Sequence, residues 1–140
     1  MALSLAVTLT CCQHHQRQLA VNNLGTGTIS VAGLITSPES KRLVLPGGSQ
    51  HVPIAESRIK FWGLFETDQY TRSVKINDIP YLLPEPLVDR SNQWAFSTVS
   101  NRHDSSEDGA VVYRKNSDVR YLAPDGRSTK LPVMQRAEVP

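Results

Sequence analysis

Residues 19–54 read LAVNNLGTGTISVAGLITSPESKRLVLPGGSQHVPI. In the middle of this stretch Ile29, Val31 and Ile35 recur with a period of two, and Ser30 and Ala32 stand between them. Side chains alternate between the two faces of a β-strand, so this spacing is typical of a half-buried strand. Gly-Thr-Gly before it and Pro-Gly-Gly after it are turn signals. The stretch therefore predicts short β-strands joined by tight turns.

The same alternation continues outward in both directions. It predicts strands at 3–10, 28–34, 59–65, 93–98 and 110–114 among about ten short strands, with turn signals about every 8–12 residues. Residues 79–88 contain three prolines, which predicts an extended edge segment, and no amphipathic helix is expected. These features predict an all-β fold, either an antiparallel sandwich of Ig-like or jelly-roll type or a small barrel. The predicted core contains seven apolar side chains: Leu5, Val7, Ile29, Val31, Phe61, Trp94 and Phe96.

The length of 140 residues fits a single domain. We assign residues 1–130 to one β domain, with a subdivision near 66–69 as the alternative. Residues 131–140 mix apolar and polar side chains and carry two prolines, so we expect an extended C-terminal arm.

Charge is balanced overall but unevenly placed along the chain. Fifteen Lys and Arg stand against thirteen Asp and Glu, and basic and acidic residues are interleaved. This argues against a nucleic-acid-binding surface, which concentrates basic residues on one face. The first 38 residues contain a single charged side chain, Arg17. Depletion of charge is typical of covered surface, either in the interior of the domain or against a partner.

The strands and turns of residues 19–54 resemble the first half of Ig-like β-sandwich modules. The likeness lies in a strand, Asn-x-Gly, an Ile-x-Val strand, a Ser-Pro loop and a Pro-Gly-Gly turn. It implies a sandwich fold and no site residues, and the Cys…Trp…Cys pattern of antibody domains is missing.

Two clusters contain the residue types of metal sites. Cys11, Cys12, His14 and His15 lie at the end of a predicted strand, and the two cysteines are adjacent. Their spacing lacks the Cys-x-x-Cys or His-x-x-x-His pairs that place two ligands on one ion. We therefore expect reduced thiols and no bound metal here.

The second cluster is Asp104, Ser106 and Asp108, which matches the opening of a calcium loop. The twelfth position holds Lys115 where such a loop needs a bidentate Glu, so we expect no calcium. The same loop contains His103 beside Asp and Ser, but neighbours in sequence do not form a catalytic triad. We predict no enzymatic activity and no cofactor.

The beginning of the chain has an apolar stretch but no basic residue before Arg17, which argues against a signal peptide. No stretch has the roughly 20 apolar residues of a membrane helix.

These features predict a structural protein that binds other protein subunits of a large homo- or hetero-oligomeric assembly. Our interpretation is a virion component, a phage head, neck or tail protein, formed in the host cytoplasm. We expect residues 1–38 and the arm to lie against neighbouring subunits, with Leu131, Val133 and Val139 as interface residues. The alternatives are an Ig-like binding or adhesion module at a cell surface and a small β-barrel enzyme or ligand carrier.

Overall fold

A computed structural model describes residues 12–34, 41–60, 65–96 and 109–134. These ranges contain ten strands and one helix. The strands are β1 (Cys12–Asn23), β2 (Ile29–Ala32), β3 (Arg42–Val44), β4 (Ser49–Lys60), β5 (Phe65–Tyr70), β6 (Ser73–Ile76), β7 (Ile79–Leu82), β8 (Ala110–Lys115), β9 (Asp118–Leu122) and β10 (Ser128–Lys130). The helix is α1 (Glu85–Phe96). The all-β prediction is confirmed.

The strands form two sheets. A six-stranded sheet has the order β10-β9-β8-β1-β4-β5, and a four-stranded sheet has the order β3-β2-β6-β7. The β1–β8 pair is parallel, and the other described pairs are antiparallel. The long strands β1 and β4 have twelve residues each, so each spans about 40 Å. They connect the part of the molecule near β8–β10 to the part that carries β5 and α1.

The main core lies between the two sheets. Leu19 and Ile54 come from the six-stranded sheet, and Val31, Val74 and Ile76 come from the four-stranded sheet. Each of these side chains is at most 1% exposed. Their alternation along the strands is the period of two that the sequence predicts. Strands predicted at 28–34 and 110–114 are confirmed as β2 and β8.

The two sheets meet where β2 ends. The Leu34 N–H donates to the Pro53 carbonyl on β4 at 2.6 Å. A Cβ atom on Gly33 would lie 2.1 Å from that same carbonyl oxygen. No side chain fits in this space, so the crossing of the two sheets requires glycine at this position.

The prediction of a strand at 93–98 was wrong, because residues 85–96 form α1. Pro84 lies two residues after the end of β7, and its carbonyl accepts from the N–H groups of Leu87 and Val88, both at 3.0 Å. Pro86 in the first turn needs no backbone donor, so proline favours this helix start rather than an extended segment. Trp94 is buried as predicted, but Phe96 is 61% exposed.

The single strand predicted at 59–65 was also wrong. Lys60 pairs with Phe65 in the antiparallel β4–β5 ladder, so the chain reverses direction between them. The 66–69 stretch, where a subdivision was considered, lies inside β5 and is paired with β4. The predicted strand at 3–10 and the predicted core residues Leu5, Val7 and Phe61 lie outside the described residues.

The beginning of the predicted C-terminal arm is bonded to its own domain. The Leu131 N–H donates to the Val119 carbonyl at 2.8 Å, and the Leu82 N–H donates to the Pro132 carbonyl at 2.8 Å. Val133 forms an isolated bridge with Tyr81 on β7. Residues 131–134 therefore complete the fold of this chain, while residues 135–140 lie outside the described part.

Candidate functional site

A polar row crosses the six-stranded sheet beside α1. His15 on β1 pairs with Ser57 on β4, and Ser57 pairs with Asp68 on β5. Directly paired residues point to the same face, so this row combines the three residue types of a hydrolase triad. Ser57 stands in the middle and is fully buried. A triad needs the histidine between the other two groups and an accessible serine. The backbones of the strands that carry His15 and Asp68 are about 10 Å apart, with Ser57 between them.

The same face of the sheet is covered by α1. Ala55 packs against Trp94 and Ala95 in a small second core. Arg17, which is 8% exposed, donates from Nη1 to the Arg90 carbonyl at 3.2 Å. A buried cation costs free energy unless it is hydrogen-bonded, and this bond ties it to the helix. We interpret these polar groups as fixing the helix on the sheet rather than as a reaction site.

Three exposed leucines are chain neighbours of two residues that bond each other where β1 and β3 end. Leu24, Leu43 and Leu45 are 54%, 68% and 67% exposed. Asn23 Nδ2 donates to the Val44 carbonyl at 2.9 Å, and each leucine is a chain neighbour of one of these two residues. We call Leu24, Leu43 and Leu45 the leucine surface.

The backbone beneath the leucine surface is held rigidly. Asn23 is fully buried, and its amide group also donates to the Gly27 carbonyl at 2.8 Å. The Gly48 N–H donates to the Leu45 carbonyl at 2.8 Å, which closes a turn with Gly47 at φ 77°. Proline followed by glycine with positive φ is the pattern of a type II turn. The leucines are therefore presented on fixed backbone.

A second surface feature lies between the start of α1 and the β9–β10 hairpin. It is a cleft of about 470 Å³. Its apolar walls are Pro84, Pro86 and Leu87 on the helix side and Tyr121, Ala123 and Pro124 on the hairpin side. Arg90, Asp125, Arg127 and Thr129 stand around it. We call this space the edge cleft, and its volume is in the usual range of ligand pockets, about 300–1,000 Å³.

The edge cleft borders an outer strand of the six-stranded sheet. Among the described residues, β10 pairs with β9 on one side, and its three residues are exposed. Leu131 donates its N–H to Val119, and the Arg127 carbonyl accepts from Ala123 at 2.8 Å. Because bonding alternates along an antiparallel ladder, Ser128 and Lys130 direct their backbone groups away from β9. An unpaired strand edge of this kind is a template for another strand.

The structure places only part of the predicted metal clusters. Cys11 lies outside the described residues, as do Asp104, Ser106 and Asp108. Cys12 and His14 lie on β1, and of this cluster only His15 has a described side chain. Its Nε2 atom is buried, with no hydrogen-bond partner among the described groups. No set of three or more His, Cys, Asp or Glu side chains that could hold a metal ion occurs in the described ranges.

The predicted interface residues have different positions. Leu131 is 3% exposed and belongs to the main core, which corrects its assignment as an anchor for a neighbouring subunit. Val133 is 44% exposed, so an interface role for it stays a prediction. Val139 lies outside the described residues.

Sequence reasoning missed both surface features. The leucine surface forms because β3 returns to the end of β1, and that contact joins residues 21 positions apart. The edge cleft depends on the helix, which was not predicted. Leu43, Val44 and Leu45 are all apolar, so one face of this strand had to be exposed. The sequence does not show whether the exposed face carries Val44 or the two leucines.

No family model, curated protein or solved structure matches this chain. Within the described residues, no helix has the length and apolar character needed to cross a membrane.

Proposed function

We propose that this chain is a non-enzymatic structural subunit of a multi-subunit assembly. The observation that carries the proposal is the leucine surface, three leucines that are each more than half exposed next to the Asn23–Val44 bond. Clustered exposed apolar side chains mark surfaces that bind other proteins. Covering them on assembly would contribute about 1 kcal/mol or more per leucine.

We propose further that the assembly is a virion and that the chain is a phage head, neck or tail component formed in the host cytoplasm. Residues 12–34 form β1 and β2 within this domain, so their lack of charge is explained by their own fold. Support comes from residues 1–11, which carry no charged side chain, since depletion of charge is typical of interface cores. A small β domain with exposed edges and an apolar surface suits repeated packing against copies of itself. In such packing, one surface patch meets a different patch on the next subunit and produces rings or filaments.

The edge cleft favours a second candidate function, a small ligand carrier. Its apolar walls and its volume of about 470 Å³ are compatible with a small apolar ligand. The cleft opens alongside the exposed edge of β10, however, and a strand from another protein would use both the cleft and the edge.

The structural role is tested by measuring the mass of the purified full-length chain by size-exclusion chromatography with light scattering. We expect self-association that increases with protein concentration, and rings or tubes by negative-stain electron microscopy. The double variant Leu43→Ser/Leu45→Ser should weaken self-association at least tenfold, roughly the effect of losing 1.4 kcal/mol. Its matched control is Ser49→Ala/Gln50→Ala at neighbouring exposed positions. A wild-type chain that stays monomeric at all concentrations would contradict the proposal.

A further inference from the structure

We infer that the edge cleft and the β10 edge receive residues 3–9 of a second copy of this chain as an added strand. This inference rests on the proposed assembly function and names the surfaces that would join successive subunits. It draws on three observations: the outward backbone groups of β10, the apolar cleft beside it, and the sequence pattern of residues 3–9.

Two of the other outer strands, β7 and β3, already make backbone bonds beyond their partner strands. β7 is already bonded by the C-terminal segment, since the Met134 N–H donates to the Pro80 carbonyl at 2.8 Å. On β3 the Val44 carbonyl accepts from Asn23. By contrast, Ser128 and Lys130 on β10 direct N–H and C=O groups outward, which is what an added strand requires.

The faces of an added strand would match the two sides of β10. Thr129 pairs with Tyr121, so both residues point to the side of the sheet where the edge cleft lies. A residue opposite Thr129 on an added strand would point into the cleft, together with the residues two positions before and after it. The other face would lie beside Ser128 and Lys130, which are exposed to solvent.

Residues 3–9 have the alternation that this arrangement needs. In an extended strand, Leu3, Leu5, Val7 and Leu9 would share one face, and the small residues Ser4, Ala6 and Thr8 would share the other. The apolar face suits the Pro, Leu, Tyr and Ala walls of the edge cleft. The small uncharged face suits the solvent side next to Ser128 and Lys130, and it does not repel the lysine.

The donor strand must come from another copy because its own β10 is out of reach. Val21, Val111, Tyr121 and Thr129 form one row across β1, β8, β9 and β10. Cys12 is nine residues before Val21, so it lies about 30 Å along the strand direction from that row. Leu9 is three residues from Cys12 and therefore at most about 10 Å away from it.

Cys12, the first described residue, lies at the end of the sheet where β4 meets β5. β1 pairs with β4 from Cys12 opposite Lys60, and Lys60 in turn pairs with Phe65 at the start of β5. A strand that continued from Cys12 in the same direction would pass the end of the β4–β5 hairpin. It would be available to a neighbouring subunit.

The test uses two full-length variants that disable the two halves of the contact separately. Val7→Asp places a charge on the apolar face of the donor strand. Lys130→Pro removes an outward N–H from β10 and leaves the bonds of Arg127 and Leu131 to β9 in place. Ala6→Asp on the opposite face of the donor and Lys130→Ala on β10 are the matched controls. Melting temperatures within about 2 °C of wild type would show that all four variants fold.

We expect each disabling variant to weaken self-association at least tenfold and each control to associate like wild type. When both chains also carry Leu43→Ser/Leu45→Ser, a one-to-one mixture of Val7→Asp and Lys130→Pro should form dimers and stop there, because one intact donor then meets one intact acceptor. Wild-type association that both variants retain would overturn this inference and leave the proposed structural function standing. A wild-type chain that stays monomeric would overturn both.

Discussion

At the scale of single residues, Asn23 fixes the end of β1. Its side chain is fully buried, and it bonds Gly25, Gly27 and Val44 through one carbonyl oxygen and two amide hydrogens. The turn at Gly25-Thr26-Gly27 was predictable because glycines mark turns locally. The burial of Asn23 was not predictable, because it depends on a strand that returns from 21 residues further along the chain.

Tyr81 supplies a residue-scale prediction about pH. Its hydroxyl donates to the Asn116 carbonyl, and its side chain is 2% exposed. Burial raises the pKa of Tyr81 above its usual value of 10.0, and the neighbouring Tyr113 raises this pKa further. The fold therefore favours the neutral phenol. The stability that this preference contributes is complete below about pH 10 and is lost as the pH rises through the raised pKa.

We expect Tyr81→Phe to lower the free energy of unfolding by about 1 kcal/mol at pH 7, through loss of one hydrogen bond. Above about pH 10 the deficit should shrink, because the variant has no phenol to ionise at this position. Urea unfolding of both proteins between pH 7 and 11 measures the difference. A deficit that stays constant over this range would mean that Tyr81 ionises equally well in the folded and unfolded states.

At the scale of elements, the strands were more predictable than the helix. The alternation of apolar and small residues at Ile29 and Val31 is typical of a strand with one face in the core, so β2 was predicted correctly. The buried side chains of α1 are Leu87, Val88, Ser91, Trp94 and Ala95, which follow helical spacing over twelve residues. Pro84 and Pro86 before them suggest an extended chain. Polar residues around the buried Ser91 suggest a turn, so the short helical pattern was hidden.

Trp94 and Phe96 distinguish a helix from a strand at this position. Residues two apart share a face in a strand, but in a helix they point in different directions. Trp94 is 5% exposed, whereas Phe96 is 61% exposed and contacts the Tyr70 ring edge-on, with the ring centroids 6.4 Å apart.

We expect Trp94→Ala to cost about 3–5 kcal/mol of unfolding free energy. Phe96→Ala should cost about 1 kcal/mol or less. Equal losses in chemical denaturation would instead favour a strand.

At the scale of the whole molecule, the two sheets are joined by backbone bonds far apart in sequence. Leu34 bonds Pro53 on one side of the sandwich, and the C-terminal segment bonds β7 and β9 on the other. The sequence indicated sheets with one apolar face, but it did not indicate the backbone bonds that join them. The C-terminal segment contains proline and has no periodicity that would identify its partner strand. The segment 131–134 was consequently expected to lie on a neighbouring subunit, although Leu131 is a core residue.

Truncation from the C-terminus tests whether residues 131–134 stabilise their own domain or bind other subunits. A chain ending at Lys130 loses the buried Leu131 and the backbone bonds that Pro132 and Met134 make to β7. We expect it to lose about 3–5 kcal/mol of unfolding free energy, the cost of removing a large core side chain together with its hydrogen bonds. A chain ending at Met134 keeps these contacts and should stay within about 1 kcal/mol of the full-length chain. Thermal unfolding followed by circular dichroism compares them. If the chain ending at Lys130 melts like the longer one, the C-terminal segment does not stabilise its own domain, and an arm that binds other subunits becomes the better description.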